Sequence, residues 1–266
     1  MTTNAFDRFD PVAYLDHYYS TIGEENDNLL TFFARAYSRL DEQTAMLELG
    51  GGPTVYQLIS AAPRVGAIDF ADYIPANLDQ VRLWADEAPT AFDWSPFIRR
   101  TLEIEGVEST AHAVQARADL LRSRLRRFLH CDAFDAEPCG SASRASYGIV
   151  SVNFVPEAMT GSIVVWRQIM RNILSLLKPG GTLIMSVTTG ADYWRCGEVV
   201  LPAVRIGAAQ LESELAMLGL RVDSMTTIDA EVVDATDPEY CGYTGMAFVQ
   251  ARAGAVVSDG AIAAAA

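Results

Sequence analysis

Apolar positions along the chain switch repeatedly between helical and strand-like spacing. Over residues 26–40 they fall at 29, 30, 32, 33, 36, 37 and 40, the one-sided stripe of a helix. Residues 45–49 form a short apolar run that ends in three glycines, as expected of a buried strand entering a tight turn. The pattern predicts a further helix over 54–61, stopped by Pro63, a strand over 65–70 closing on Asp72, and a helix over 77–85. A long helical stretch runs from 95 to 128, opened by Asp93-Trp94-Ser95-Pro96 with a capping side chain and a proline near the first turn. It is long for a simple crossover and reads as an insertion of one or two helices. Strands resume at 128–131, 147–154 and 182–187, and a helix over 163–177, closed by Lys178-Pro179-Gly180-Gly181, separates the last two. A helix over 208–218 ends at Gly219, and the closing strands 220–228 and 245–251 suit an antiparallel pair at a sheet edge.

Strand, helix and strand in alternation specify an α/β fold whose sheet is mostly parallel, with right-handed crossovers and helices on both faces. No internal repeat or linker interrupts it, so residues 1–252 are expected to form one domain. Within it, 1–44 precede the sheet, 93–128 carry the insertion, and 253–266, ending in four alanines, form a disordered tail.

Composition narrows the function. With 266 residues, half of them hydrophobic, the chain can bury a full core. No apolar stretch reaches the length of a membrane span, and the start, Met1-Thr2-Thr3-Asn4, lacks a secretory pattern, so a cytoplasmic protein is expected. A net charge of −14 repels phosphate backbones and argues against a nucleic-acid partner. The basic cluster of Arg117, Arg122, Arg124, Arg126 and Arg127 lies in a helical pattern and reads as a solvated helix face. Cys131, Cys139, Cys196 and Cys241, like the three histidines, are too scattered for a zinc site, so no metal is expected. Nothing in the chain specifies an oligomeric state.

The glycine turn carries the chemistry. A dinucleotide turn needs a third glycine three residues after the second, and counting from Gly50 and Gly52 that position is Val55. A nucleotide-triphosphate loop needs a lysine at the helix start, and none is there. A ligand without phosphates fits better: S-adenosylmethionine, with an uncharged sugar and a cationic sulfonium. Glu48, inside the first strand, suits a cation. Asp72 lies about 20 residues past the glycines, the spacing that sets a carboxylate on ribose hydroxyls, with Asp69 as its competitor. The alternative is an ordinary turn followed by a strand-end aspartate.

Glu48-Leu49-Gly50-Gly51-Gly52-Pro53-Thr54-Val55-Tyr56-Gln57-Leu58 closely resembles the first motif of the small-amine N-methyltransferases that act on nicotinamide, phenylethanolamine and indolethylamine. Tyr14-Leu15-Asp16-His17-Tyr18-Tyr19 is similar to their N-terminal cofactor-covering segment. The block from Glu87 to Pro96 and the turn Leu176-Leu177-Lys178-Pro179-Gly180-Gly181 also resemble theirs, and the likeness spans about 11–251. The resemblance implies a Rossmann-like class I methyltransferase with a seven-stranded, mostly parallel sheet and an antiparallel edge strand. It implies S-adenosylmethionine as cofactor and transfer of its methyl group to the amine of a small molecule.

Matched by position, the resemblance puts Tyr14 and Tyr19 on the cofactor and Gly50 and Gly52 on its methionine part. Thr54 and Tyr56 hold the tail, Asp72 and Asn77 the ribose and adenine side, and Asp132, within Cys131-Asp132-Ala133, the adenine amino group; Ala133 and Asn153 complete the set. For the two tyrosines the alternative is core packing of a terminal helix.

An amine arrives as ammonium and must lose a proton before it attacks, so a carboxylate near the methyl group is needed. Glu157, just past the fourth strand at the carboxyl edge, resembles the family's acid facing the amine and is expected to bind the substrate and take its proton; a helix-start glutamate is the alternative. Tyr193 and Trp194 align with aromatics that line the substrate pocket, with Tyr240 and Tyr243 as further candidates. Some relatives end the fifth strand with an acid where this chain has Ser186-Val187-Thr188, with Asp192 further on, so the second acidic anchor and with it the substrate's identity stay open. Transfer to sulfur or oxygen, and a cofactor-binding protein without turnover, are the competing functions.

Overall fold

The structure, a computed structural model, describes residues 9–40, 43–196, 199–237 and 240–254. Seven strands form the central sheet: β1 (Ala45–Leu49), β2 (Ala67–Asp72), β3 (Leu125–His130), β4 (Tyr147–Asn153), β5 (Leu177–Thr189), β8 (Leu220–Asp229) and β9 (Gly245–Ala253). Their order across the sheet is β3-β2-β1-β4-β5-β9-β8. The first five pair in parallel, and β9 runs antiparallel to both neighbours, so the late pair closes one edge as a hairpin-like unit. The order reverses between β1 and β4, the place where open α/β sheets bind ligands beyond their carboxyl ends.

Both faces are covered. One carries α6 (Ile163–Leu174) and α7 (Ala208–Met217) over Leu47, Val150, Val152, Leu183, Met185 and Val249. The opposite face packs Met46, Phe70, Ile149, Ile184 and Phe248 against α1 (Pro11–Tyr19), α2 (Glu24–Ser38), α3 (Pro75–Ala85), α4 (Ser95–Ile104) and α5 (Ala111–Arg124). Strand residues alternate between these two cores, the period-2 consequence of the pleat.

Three expectations change. Residues 54–61 do not form an α-helix but a buried 3-10 turn, Tyr56–Leu58, followed by further turns. Thr54 Oγ1 and Gln57 Nε2 both donate to the Gly51 carbonyl (2.7 and 3.2 Å), and Gln57 Nε2 also reaches the Thr54 carbonyl, so side chains take acceptors that a helix would use. The stretch 95–128 divides at Gly106, whose φ of 72° ends α4, and its last residues belong to β3 rather than to a helix. Lys178–Gly181 is absorbed into the start of β5 as a bulge around Gly180 (φ 74°), opposite the register shift in β4. Residues 255–266 of the expected tail lie outside the described residues.

The division at β3 explains the arginine cluster, which is not a free basic face. Arg126 and Arg127 leave the helix and both reach the Asp69 carboxylate of β2, at 2.7 and 2.6 Å. Arg117 pairs with Glu105 at 2.7 Å, Arg122 with Asp119 at 3.0 Å, and Arg124 donates to the Ala62 carbonyl at 3.2 Å. Among the described residues no helix is long and apolar enough to cross a membrane. A short hairpin of β6 (Tyr193–Cys196) and β7 (Val199–Pro202), unanticipated from the pattern, follows β5.

Candidate active site

A cavity of about 590 Å³ opens over the carboxyl ends of β1, β2, β4 and β5, roofed by α1 and the start of α2. Its floor is the glycine turn. Gly50 (φ 67°) and Gly52 (φ 62°) both occupy the left-handed region, which glycine enters without strain. A Cβ at Gly50 would strike Val155, whereas one at Gly52 would meet nothing within 4 Å, so the chain leaves open room beside Gly52.

Asp72 organises this floor. Its Oδ2 accepts the Gly52 N–H at 2.9 Å, and its Oδ1 accepts from the Ile74 N–H at 2.8 Å and from Asn77 Nδ2 at 3.0 Å. Burial raises its pKa even against these bonds. Asp69, the rival read from the sequence, points to the other face, where Arg126, Arg127 and Tyr147 consume its oxygens. Burial pushes that carboxyl up, but the bonds from Arg127, Arg126 and Tyr147 outweigh it and hold the pKa at about 2.

Glu48 presents the opposite electrostatics. It is fully buried, accepts from Asn153 Nδ2 at 3.2 Å, and has no partner on Oε2. Burial drives its pKa up to about 8. Asn153 Oδ1 and Asn77 Oδ1 are likewise buried without a partner, and all three residues line the cavity. Unmet buried polar groups on a cavity wall are unfavourable until a ligand meets them. A cation with N–H donors answers Glu48, and donor groups answer the two amides.

The roof is aromatic. Asp10 caps α1 by accepting from the Val12 and Ala13 N–H groups at 2.9 and 3.2 Å, which sets Tyr14, Tyr18 and Tyr19 over the cavity. Tyr19 is buried against Tyr56, Trp94 and Phe97, with ring centroids 5.2, 5.4 and 5.9 Å away, and its hydroxyl lies 3.4 Å from that of Tyr14. Core packing and cavity lining, set against each other in the sequence, are both true of Tyr19.

Of the positions singled out from sequence, Tyr14, Tyr19, Glu48, Gly50, Gly52, Thr54, Tyr56, Asp72, Asn77, Asp132, Ala133, Asn153 and Trp194 all line this one cavity. The hydroxyl of Thr54 is engaged with Gly51, so its contribution to the wall is not a free donor. Glu157 and Tyr193 are not lining residues. The Glu157 carboxylate is fully buried one layer back, where Oε1 accepts from the Thr188 N–H (2.9 Å) and hydroxyl (3.3 Å); Thr188 is the residue that faces the cavity. Burial raises the Glu157 pKa to about 7. Tyr193 packs edge-on against Tyr240, at 6.3 Å, rather than into the cavity, whereas Tyr243 does line it.

Several lining residues escaped the sequence reading. Tyr73 and Phe134, 39% and 52% exposed, flank the Asp72 and Asp132 end, and exposed aromatics beside a strand-end acid were the available signal. Glu25 and Glu231 had no signal, since a glutamate at a helix start is ordinary and Glu231 sits in a loop, and Thr188 was read only as part of the stretch that lacks an acid.

The fold is shared with solved structures of a SAM-dependent methyltransferase from Methanosarcina mazei (TM-score 0.54, 11% identity, 82% of this chain and 96% of that one) and of the cyclase SpnF (0.54, 15%, 93% and 86%). The pairing of a methyltransferase with a cyclase makes the site, not the fold, the discriminating feature. An open glycine turn, an acid at the end of β2 and an unpaired acid in β1 define a class I S-adenosylmethionine-dependent methyltransferase. The chain belongs to the NNMT/PNMT/TEMT family, whose model matches residues 1–254. It is 30% identical to indolethylamine N-methyltransferase of Mus musculus over 92% of this chain and 93% of the relative. Nicotinamide N-methyltransferase of Sus scrofa (28%, covering 83% and 85%) and phenylethanolamine N-methyltransferase of Rattus norvegicus (28%, covering 84% and 81%) are similar over nearly as much.

Proposed function

We propose that this enzyme methylates the nitrogen of a small amine. The carrying observation is the charge of the cavity wall. Glu25, Asp72, Asp132 and Glu231 line it, Glu48 adds a carboxyl that ionises when a cation arrives, and among the described lining residues there is no Lys or Arg. A wall of that sign favours cationic ligands, both the cofactor and a protonated amine. The relatives named above are N-methyltransferases of small nitrogen compounds, which supports the same reading.

The cofactor supplies a methyl group on a positively charged sulfur, open to in-line displacement. Glu48 and Asn153 would hold the amino-acid tail at Gly50 and Gly52, with Thr54 and Tyr56 in the turn beneath it. Asp72 and Asn77 would take the ribose and Asp132 and Ala133 the adenine, and Tyr14 and Tyr19, which roof the cavity, would exclude water. Holding donor and nucleophile in line in such an enclosure supplies several kcal/mol of the barrier reduction, on the order of 7 or more in well-aligned systems.

Glu157 acts through Thr188. Because Thr188 Oγ1 donates to Glu157, its lone pairs are free to accept an N–H of the incoming ammonium, and the proton passes by way of the hydroxyl to a carboxylate whose pKa is about 7. Trp194 forms the wall on that side and Tyr193 backs the hairpin that carries it.

The test is transfer of a labelled methyl group from S-adenosylmethionine across amines, pyridines, thioethers and hydroxyl compounds. N-methylated amine is the expected product. Label found only on sulfur or oxygen, or on no acceptor, contradicts the proposal.

A further inference from the structure

Two cavity residues that played no part in the reading of the cofactor site stand out. Glu25 lies in the first turn of α2 and Glu231 in the connection between β8 and β9, 206 positions apart. Each carboxylate accepts the other residue's backbone N–H, both at 2.9 Å. The remaining oxygen of Glu25 accepts the Tyr243 hydroxyl at 2.8 Å. Both glutamates and Tyr243 line the cavity.

Part of this is a helix cap. Gly23 offers no capping side chain, and Glu231 supplies the missing acceptor from a distance. A cap alone leaves the charges unexplained. Two carboxylates meet here, no Lys, Arg or His among the described residues forms an ion pair with either, and burial raises the Glu25 pKa. Aromatic rings line the same cavity: Tyr14 and Tyr18 stand 5.0 Å apart, and Trp194 lies 6.4 Å from Tyr14. Independently, Glu48 Oε2 and Asn153 Oδ1, buried and without partners on the same cavity, show that it is built around a polar ligand still to come. A cofactor tail held at Glu48 and Asn153 would meet those two atoms, and Glu25 and Glu231 would remain on the same cavity wall for a second ligand.

We infer that Glu25 and Glu231, braced by Tyr243, anchor the methyl acceptor as an ammonium ion, so that the acceptor class is a protonated alkylamine and not a neutral pyridine. The inference rests on the methyl-transfer reading above. It also locates on α2 and the β8–β9 connection the acidic anchor that the end of β5 lacks, where Thr188 and Thr189 stand. Carboxylates and aromatic faces together suit an alkylammonium head on an apolar body.

Glu25→Gln and Glu231→Gln keep an oxygen that can accept the opposite N–H and so preserve the cap. The experiment compares steady-state kinetics and inhibition for wild type, E25Q, E231Q and Tyr243→Phe, with benzylamine and benzyl alcohol as competing probes and S-adenosylhomocysteine affinity as the control. In wild type the ammonium probe binds better than the alcohol. In E25Q and E231Q the KM for an amine acceptor rises about 10- to 100-fold, as expected for a lost charge-assisted bond, and the preference for benzylamine disappears. Tyr243→Phe moves both in the same direction by less, and S-adenosylhomocysteine affinity changes in none. An amine KM and probe preference unchanged in E231Q and Tyr243→Phe overturn the anchor while leaving methyl transfer to amines intact. A wild-type enzyme that methylates only uncharged acceptors overturns both.

Discussion

Asp69 and Glu48 are buried carboxylates one register step apart on neighbouring strands, and they point to opposite faces of the sheet. Asp69 meets two guanidinium groups and a phenol and titrates at about 2; Glu48 meets one amide, keeps an unpartnered oxygen and titrates at about 8. The face of Asp69 is otherwise apolar across β1, β4, β5 and β9. The face of Glu48 carries a row of buried polar residues, Glu48, Ser151, Asn153, Ser186 and Gln250, four of which leave an atom without a partner. On one face, folding pairs the carboxylate that the sheet carries. The other is left electrostatically incomplete, and two of the four residues, Glu48 and Asn153, line the cavity where a cationic cofactor fits.

Substitutions can break this contrast, and the largest effect belongs to the face of Asp69. Leu183→Ala, which empties a fully buried position under α6, is expected to lower the unfolding free energy by about 2–5 kcal/mol in chemical denaturation while leaving cofactor affinity per folded molecule unchanged. On the other face, Asp72→Ala frees the Gly52 N–H and Asn77 at once; calorimetry with S-adenosylhomocysteine should show affinity falling by about 2–3 kcal/mol, with a smaller change in stability.

Glu48→Gln separates the two faces by sign. In wild type the folded-state pKa of about 8 stands above the ordinary 4.5, so the folded protein retains a proton that the unfolded chain releases. Stability therefore declines as pH rises from 4.5 to 8, and E48Q, which does not titrate, should lose less over that window in melting experiments. The same variant should bind S-adenosylhomocysteine about tenfold more weakly at pH 8, having lost the charge that the ligand's ammonium meets. The smallest effect is expected for Arg126→Ala. Its side chain is half exposed and Arg127 still neutralises Asp69, so denaturation should show a change of about 1 kcal/mol or less.

The contrast was half legible in the sequence. Short apolar runs marked β1, β4 and β5, and Glu48 stood out as an acid within the first. Such runs do not say which face receives which helix, so the two cores could not be told apart. The glycine turn and Asp72 were legible because local spacing sets their geometry. The helix expected over 54–61 failed because Thr54 and Gln57 hydrogen-bond the Gly51 carbonyl, a competition that apolar periodicity does not register. Glu157 was placed one layer too near the cavity because its neighbour Thr188 comes from another strand. The Glu25–Glu231 contact spans 206 positions and has no local signature.

The incompleteness of the Glu48 face is tested most directly by counting protons on cofactor binding. Calorimetric titration of S-adenosylhomocysteine at pH 7, repeated in two buffers of different ionisation enthalpy, measures protons released per ligand bound. Wild type should release a proton fraction that E48Q does not, because the ligand's ammonium drives ionisation of a carboxyl that is mostly protonated in the free protein. Equal proton counts in the two proteins, or no binding to wild type, would contradict it.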